Sequence, residues 1–308
     1  FDMINNLNAG KYPDESCRDK KVVVVGGGSV GLDVIEYFAP HGAKCTIIDM
    51  LPQIGMLADP ITKCSMRETH DKYGVKEYVN TALQEVKERK PVGFISVSIG
   101  EGIAEIFRDL GVDYLIEGGQ TMNPSTEDML NAIEKVNADT IFIFPNNKNI
   151  ILAANQARDL TEDKKIIVVP TKTVPQGISA MLAFDPDASE ADNVSGMTEA
   201  FGNVHTSQIT YAARNSDFDG FAINEGDYLA LEDGKLFGTD RSIEPLLSKL
   251  AEDAKARDAE FVTIFYGEDV TEEDARKAEA VFTDTCPDAE VSVLAGGQPV
   301  YYYIVSIE

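Results

Sequence analysis

The 308-residue chain has no apolar run approaching the roughly 18 residues that a membrane helix needs, which argues against a helical span. Its first thirty residues lack the charged, apolar and small succession of a secretory signal. Four cysteines, Cys17, Cys45, Cys64 and Cys286, form no CxxC pair and stand at no zinc-like spacing with histidine. A reduced, cytoplasmic protein without a metal site is the simplest expectation. Positive charge is scarce, with 27 Lys and Arg against 52 Asp and Glu and a net charge of −25. That balance argues against nucleic acid and anionic membranes, and for solubility or a partner with a basic face. The hydrophobic share of 44% and charged share of 26% are those of an ordinary globular protein. At roughly 150 residues per domain, the length suggests about two domains.

The charge is unevenly placed. Residues 1–90 hold 12 Lys and Arg and 13 Asp and Glu, a net of −1, whereas residues 91–308 hold 15 and 39, a net of −24. The motifs change at the same point. Two unrelated pieces joined near Arg89-Lys90-Pro91 are expected, one spanning 1–90 and the other 91–308, the latter with lobes of about 91–188 and 189–308. Phe1 in place of an initiator Met predicts that the beginning is cut, and Ile307-Glu308 reads as a native end.

The first piece opens with Val22-Val23-Val24-Val25, a β-branched run expected of a strand covered on both faces. Gly26-Gly27-Gly28-Ser29-Val30-Gly31 follows, then a helix carrying Leu32, Val34, Ile35, Tyr37 and Phe38 and ending at Pro40 and Gly42. Cys45-Thr46-Ile47-Ile48 is a second strand that closes on Asp49. In this G-x-G-x-x-G pattern Gly26 permits a tight turn and Gly28 lets backbone amides approach a pyrophosphate. Gly31 allows the helix to pack close to the strand. Asp49 stands where a carboxylate accepts ribose hydroxyls and repels a 2′-phosphate, so NAD is expected rather than NADP. His41 and His70 read as helix-surface residues and Cys45 as a buried strand residue.

Lys20–Asp49, Met50-Leu51-Pro52-Gln53-Ile54-Gly55 and Lys72-Tyr73-Gly74-Val75 resemble the NAD-binding domain of flavin-dependent pyridine nucleotide reductases, the 2-enoate reductase type especially. Asp33 departs from the usual Glu. The likeness stops near Val86, so the later strands of such a domain and any flavin domain are missing, leaving an open sheet edge.

From residue 92 strands and helices alternate, which implies a mainly parallel sheet. Strands are expected over Val92–Val97, Asp113–Ile116, Thr140–Phe144 and Lys165–Val169. Three of them end in polar loops. These carry Gly118, Gly119, Gln120, Thr121, Asn123 and Ser125; then Asn146, Asn147, Lys148 and Asn149; then Thr171, Lys172, Thr173, Gln176 and Gly177. In a parallel sheet such loops share the carboxyl edge, where ligands and partners bind. The plainer alternative is that Asn and Pro serve as turn residues and Thr and Gln as caps. Asp185–Asp192 reads as an acidic lobe boundary. Beyond it the strands Thr206–Arg214, Phe218–Ile223 and Tyr228–Glu232 precede a hairpin turn at Asp233-Gly234. Helices over Ser242–Arg257 and Thr271–Thr283 and strands over Phe261–Phe265, Val291–Leu294 and Tyr301–Ser306 complete the reading. Gly100-Glu101-Gly102 and Gly118-Gly119-Gln120 are faintly echoed by Gly267-Glu268-Asp269 and Gly296-Gly297-Gln298. His205 reads as an isolated strand-edge residue.

Glu117–Ser125, Pro145–Ile150, Pro170–Gly177, Ile264–Asp269 and Gly296–Val300 carry a resemblance of residues 91–308 to the C-terminal domain of the bacterial fatty acid kinase A subunit, of the dihydroxyacetone kinase-like group. The resemblance implies a DegV-like two-lobed α/β fold and engagement of a separate fatty-acid-binding subunit that presents an acyl carboxylate for phosphorylation. No G-x-x-x-x-G-K-[ST] loop and no paired-Asp glycine loop occur, and the family's Cys- and His-bearing middle domain is absent. No catalytic residue is therefore assigned.

The expected architecture is a truncated Rossmann-like βαβ unit followed by a two-lobed DegV-like domain. The expected function is a non-catalytic partner-binding domain of a fatty acid kinase system that feeds phospholipid synthesis. It would be fused, naturally, artificially or by mis-assembly, to an incomplete NAD-binding fragment. An NADH-dependent oxidoreductase fragment and a small anionic-ligand module are the alternatives, and a homodimer is compatible with either.

Overall fold

The structure is a computed structural model that describes residues 17–83, 89–119, 123–218 and 221–308. The chain divides into two compact units, Phe1–Lys87 and Glu88–Glu308. Among the described residues no helix is long and apolar enough to cross a membrane.

The first unit is a three-stranded parallel sheet in the order β1-β2-β3, formed by Lys21–Val25, Lys44–Ile48 and Lys76–Tyr78. Helices α1, Ser29–Phe38, and α2, Pro60–Tyr73, connect the strands. Asp59 begins α2 by accepting from the amides of Ile61 and Thr62, and Gly74 ends it at φ 64°, a left-handed conformation that glycine adopts without a Cβ penalty. Val24, Leu32, Ile35, Cys45, Ile47 and Met66 form the core. The four-valine strand is covered on one face only. Strand alternation turns Val24 inward and leaves Val23 and Val25 57% and 56% exposed, because both helices contribute to a single core layer. β1 also stands at the edge of the sheet. His70, expected at the helix surface, is buried and its Nδ1 meets the Glu77 carboxylate, since β3 returns beside the last turn of α2.

The second unit begins with a parallel sheet in the order β5-β4-β6-β7, formed by β4 Lys90–Ser98, β5 Tyr114–Glu117, β6 Ala138–Phe144 and β7 Lys165–Val168. Residues 141–144 of β6, Ile-Phe-Ile-Phe, are all essentially inaccessible. Ile141 and Ile143 meet Met129 and Ile133 of α4, Thr126–Lys135, and Ala154 and Ala157 of α5, Ile151–Leu160. Phe142 and Phe144 point the other way. They join Ile103 and Phe107 of α3, Glu101–Asp109, Met181 of α6, Val174–Leu182, and Met197 of α7, Glu190–Gly202. This two-sided burial is what a continuous apolar strand predicts. The acidic stretch Asp185–Asp192 leads into α7, whose Ser189 cap accepts from the Asp192 amide. Gln176 and Gly177, expected in a loop, stand in the first turns of α6, because Thr173 caps that helix and Pro175 fits its first turn.

The second lobe is a six-stranded sheet in the order β12-β11-β8-β15-β13-β14. Its strands are β8 His205–Tyr211, β11 Tyr228–Glu232, β12 Lys235–Asp240, β13 Phe261–Tyr266, β14 Glu290–Ala295 and β15 Tyr303–Ile307. Only β13 and β14 pair in parallel. Asp233 and Gly234, at φ 46° and 79°, make the expected hairpin turn between β11 and β12. The expected strand Phe218–Ile223 is instead part of a hairpin of β9, Ser216–Phe218, and β10, Phe221–Ile223. Helices α8, Glu244–Ala256, and α9, Glu272–Thr285, cover one face of the sheet with Leu246, Leu250, Ala278 and Phe282. Phe265 and Ile304 on the opposite face enter the core around Phe142 and Phe144, so the lobes share apolar packing.

Of the four glycine motifs, Gly100-Glu101-Gly102 and Gly296-Gly297-Gln298 meet in space. The Ile103 amide donates to the Gly296 carbonyl at 3.2 Å, and a Cβ on Gly102 would lie 1.7 Å from the Ala295 carbonyl oxygen. Only a glycine permits that approach.

Candidate functional site

In the first unit the glycines occupy three different environments. Gly26 turns the chain at φ 103°, while its amide donates to the Ile48 carbonyl at 2.8 Å. A Cβ on Gly31 would sit 2.0 Å from the Gly26 carbonyl oxygen, so α1 packs directly on the turn. A Cβ on Gly28 would meet nothing within 4 Å, leaving open space beside the start of α1. Asp49 accepts from the Leu51 amide at 2.8 Å and from the Gly27 amide. Those bonds, Leu51's first, hold its carboxyl below the usual Asp range. A carboxylate has about four acceptor positions, so Asp49 braces the glycine turn and retains capacity for hydroxyl donors. These residues fit a pyrophosphate and ribose in kind and arrangement. Cys45 is buried, and burial followed by the nearby Cys17 raises its thiol pKa, which opposes thiolate chemistry.

In the second unit the ends of β5, β6 and β7 lie along one parallel sheet and present their loops at the carboxyl edge. Asn146 ties that edge together. Its Nδ2 donates to Ser96 Oγ and to the Val97 carbonyl, both at 2.9 Å, and its Oδ1 accepts from the Thr171 hydroxyl at 2.8 Å. Asn146, Thr171 and Ser96 are buried. Asn147 donates to the Gly119 carbonyl and accepts from the Asn149 amide at 2.9 Å. Ser125 forms a capping box with Asp128, and the Gln176 side chain accepts from the Lys172 amide at 2.8 Å. Gly177 admits Asn146, since a Cβ there would lie 2.2 Å from its Oδ1. Several of the predicted site residues therefore hold the loops together. Asn123, Lys148, Asn149 and Lys172 are exposed, Gly118 and Gly119 are buried, and Gln120 and Thr121 lie outside the described residues.

Two of the three loops border a pocket of about 270 Å³ between the lobes. Asn146, Asn147, Lys148 and Asn149 come from the loop after β6, and Lys172 and Thr173 from the loop after β7. Gln208 of β8, Asp233 of the hairpin and Tyr301 close it from the second lobe. Thr173 and Thr206 share a hydroxyl–hydroxyl bond of 2.8 Å across the lobes. Burial pushes the Tyr301 phenol up. Sequence reading missed Gln208 and Tyr301. The polar Thr206, Gln208 and Thr210, on one face of β8, were the available signal.

His205 is not isolated. Its Nδ1 meets Asp233 Oδ2 at 3.0 Å, while Arg257 faces its Nε2 at 3.4 Å and also pairs with Glu232 and Asp253. His205, Glu232 and Asp233 each offer one donor atom within 4.8 Å of the others. The Arg257 guanidinium already supplies positive charge to that cluster.

A parallel lobe joined to a mixed six-stranded lobe through a glycine contact defines a DegV-like two-lobed α/β domain, and the first unit is a Rossmann-like βαβ fragment. The fold is shared with a DegV family protein from Corynebacterium glutamicum at a TM-score of 0.54 and 16% identity, over 70% of this chain and 96% of that one. It is shared also with DegV, a fatty acid binding protein from Bacillus subtilis, at 0.51 and 13% identity, over 71% and 99%. The chain belongs to the fatty acid kinase A-subunit-like, C-terminal family, whose model matches residues 93–308. Protein YloV of Bacillus subtilis is 42% identical over 244 residues, which is 79% of this chain and 44% of the relative. An uncharacterized protein of Staphylococcus haemolyticus is 37% identical over 246 residues, with the same coverage of both chains. The chain thus spans less than half the length of these curated relatives.

Residues 21–102 match the pyridine nucleotide-disulphide oxidoreductase model, further than the expected limit near Val86. Both family models cover 93–102, and the fold assigns β4 to the second unit, where it pairs with β5 and β6. The likeness to YloV is longer than the stretch from Gly93 to Glu308, so it reaches into residues ahead of the kinase-type model.

Proposed function

We propose that residues 91–308 form the partner-binding domain of a bacterial fatty acid kinase system, engaging the subunit that carries the fatty acid, in a route feeding phospholipid synthesis. The match of the kinase-type model from Gly93 to Glu308 carries this reading. The domain gives the carboxyl edge of its parallel sheet to polar loops braced through Asn146 and Asn147. Such a surface of amides, hydroxyls and a few lysines suits docking, and among the described residues it shows no nucleophile–base pair of the kind an active centre needs. The net charge of −24 over residues 91–308, from 15 bases and 39 acids, favours a partner with a basic face and salt-dependent association. The test is calorimetric titration, at low and high salt, of the full chain with a fatty-acid-binding subunit. Saturable binding that weakens with salt is expected, and absence of binding refutes the assignment. Binding that ignores salt removes the electrostatic part. The chain alone is expected to form no acyl phosphate from ATP.

A second reading concerns the first unit. Its match to the oxidoreductase model and the open space at Gly28 favour weak NADH binding through Gly26, Gly28, Gly31 and Asp49. The nicotinamide would supply hydride chemistry when bound, while these residues would hold only its diphosphate and ribose. Loss of NADH fluorescence enhancement in Asp49→Ala, with NADPH affected less, is the expected result. Equal loss for both nucleotides refutes the ribose role.

A further inference from the structure

Acids far outnumber bases in the second unit, and many of its cations are tied to a carboxylate. Arg89 pairs with Asp139, Lys90 with Asp113, Lys165 with Glu190 and Arg276 with Glu272. Lys148 and Lys172 have no carboxylate partner among the described residues. They belong to the loops after β6 and β7, which are adjacent strands, and both line the inter-lobe pocket. Lys235, Lys249 and Lys255 are likewise without a carboxylate partner among the described residues, so what sets Lys148 and Lys172 apart is that both ammonium groups border one pocket.

The rest of the lining agrees with an oxyanion. Asn149, Gln208 and Tyr301 also line the pocket, and each of these side chains carries an N–H or O–H donor. The pocket also receives Thr173 and Val174 at the start of α6, the positive end of that helix dipole. Asp233 is the one carboxylate in the lining among the described residues. Its oxygens are engaged by the Thr206 amide and His205 Nδ1, each at 3.0 Å, which turns its charge toward the His205–Arg257 cluster.

We propose that this pocket binds a small phosphate-bearing molecule, with Lys148 and Lys172 neutralising the phosphate from two loops and Asn149, Gln208 and Tyr301 donating to the remaining oxygens. Lysine acts as a movable point charge suited to a tetrahedral dianion, whereas a planar carboxylate is best matched by the arginine fork, which this lining lacks. A space of about 270 Å³ lies at the small end of ligand pockets, so it takes a short molecule and not a long acyl chain. This site depends neither on the docking of a fatty-acid-binding subunit nor on nucleotide at the first unit.

The experiment is titration of inorganic phosphate into the full chain at constant ionic strength, followed by amide NMR shifts, with acetate titrated in parallel. Saturable shifts at residues lining the pocket are expected, with phosphate bound more tightly than acetate. Lys148→Gln and Lys172→Gln should each weaken phosphate by at least about tenfold, the worth of one charge-assisted hydrogen bond. Lys249→Gln, an exposed lysine on α8 away from the pocket, should leave affinity unchanged. All three positions are exposed, so folding should survive the substitutions. Absence of saturable binding overturns the proposal, as does equal weakening by Lys249→Gln. Acetate binding as tightly as phosphate overturns the phosphate assignment.

Discussion

Replacing Asn146 by Ala tests whether the carboxyl edge is held together as the structure indicates. The side chain makes three hydrogen bonds, to Ser96 Oγ, to the Val97 carbonyl and from the Thr171 hydroxyl, and the residue is 6% exposed. Each such bond contributes about 1 kcal/mol net, and a buried partner left unsatisfied raises the cost further. Asn146 also sits at φ 53°, where alanine costs roughly 1 kcal/mol more than asparagine. The sum is about 3–5 kcal/mol. For a unit of this size each kcal/mol lowers Tm by about 2–4 °C, so a fall of roughly 6–20 °C is expected. The assay is thermal unfolding of the full chain followed by far-UV circular dichroism, assigned to the second unit by hydrogen exchange of β4 and β6 amides. Asn146→Gly keeps the left-handed backbone and removes only the side chain, so it should recover a small part of the loss. If Asn146→Gly melts with the wild type, the three-way brace contributes nothing and the reasoning fails.

Gly31→Ala places a Cβ against the Gly26 carbonyl oxygen, so exchange protection of β1 and β2 amides should fall and NADH binding should vanish; unchanged protection would contradict the close approach. Asp128, held below the usual range first by the Ser125 hydroxyl, contributes stability that is complete above the unfolded carboxyl value of about 3.9 and disappears as pH falls through its lower folded value. Asp128→Asn should therefore reduce Tm at pH 7 and flatten its dependence on acid, and a parallel acid profile would refute the capping role. Burial, with the charges of Asp274 and Glu244 after it, pushes the Tyr303 phenol up to about 12. Its folded value lies above the unfolded value of about 10, so its stabilising contribution is complete below pH 10 and falls as pH rises toward 12. Absorbance at the phenolate band should show a titration near pH 12 that Tyr303→Phe removes.

Local chemistry was legible in the residues themselves. Four valines followed by glycines marked a strand entering a tight turn, and Asp233-Gly234 marked a hairpin, because φ and side-chain alternation are short-range constraints. The order of strands and helices from residue 92 to 169 likewise followed from apolar spacing. Coverage of those strands did not. Val23 and Val25 carry the same side chain as Val24, and only the number of layers packed on the sheet decided which of them met solvent.

The alternation of strands and helices was enough to place three polar loops on one edge, since parallel strands end on the same side of their sheet. The sequence by itself could not separate the residues that brace that edge from those that face outward. Asn146 and Lys148 stand two positions apart and both border the pocket whose far wall is Gln208 and Tyr301, yet only Asn146 is buried, bonded to Ser96 and Thr171 of its own lobe. Gln208 and Tyr301 lie tens of residues away, and only the packing of one lobe on the other brings them to that edge. The pairing of His205 with Asp233 rests on strand register, since the antiparallel alignment of β11 on β8 brings the hairpin turn beside His205.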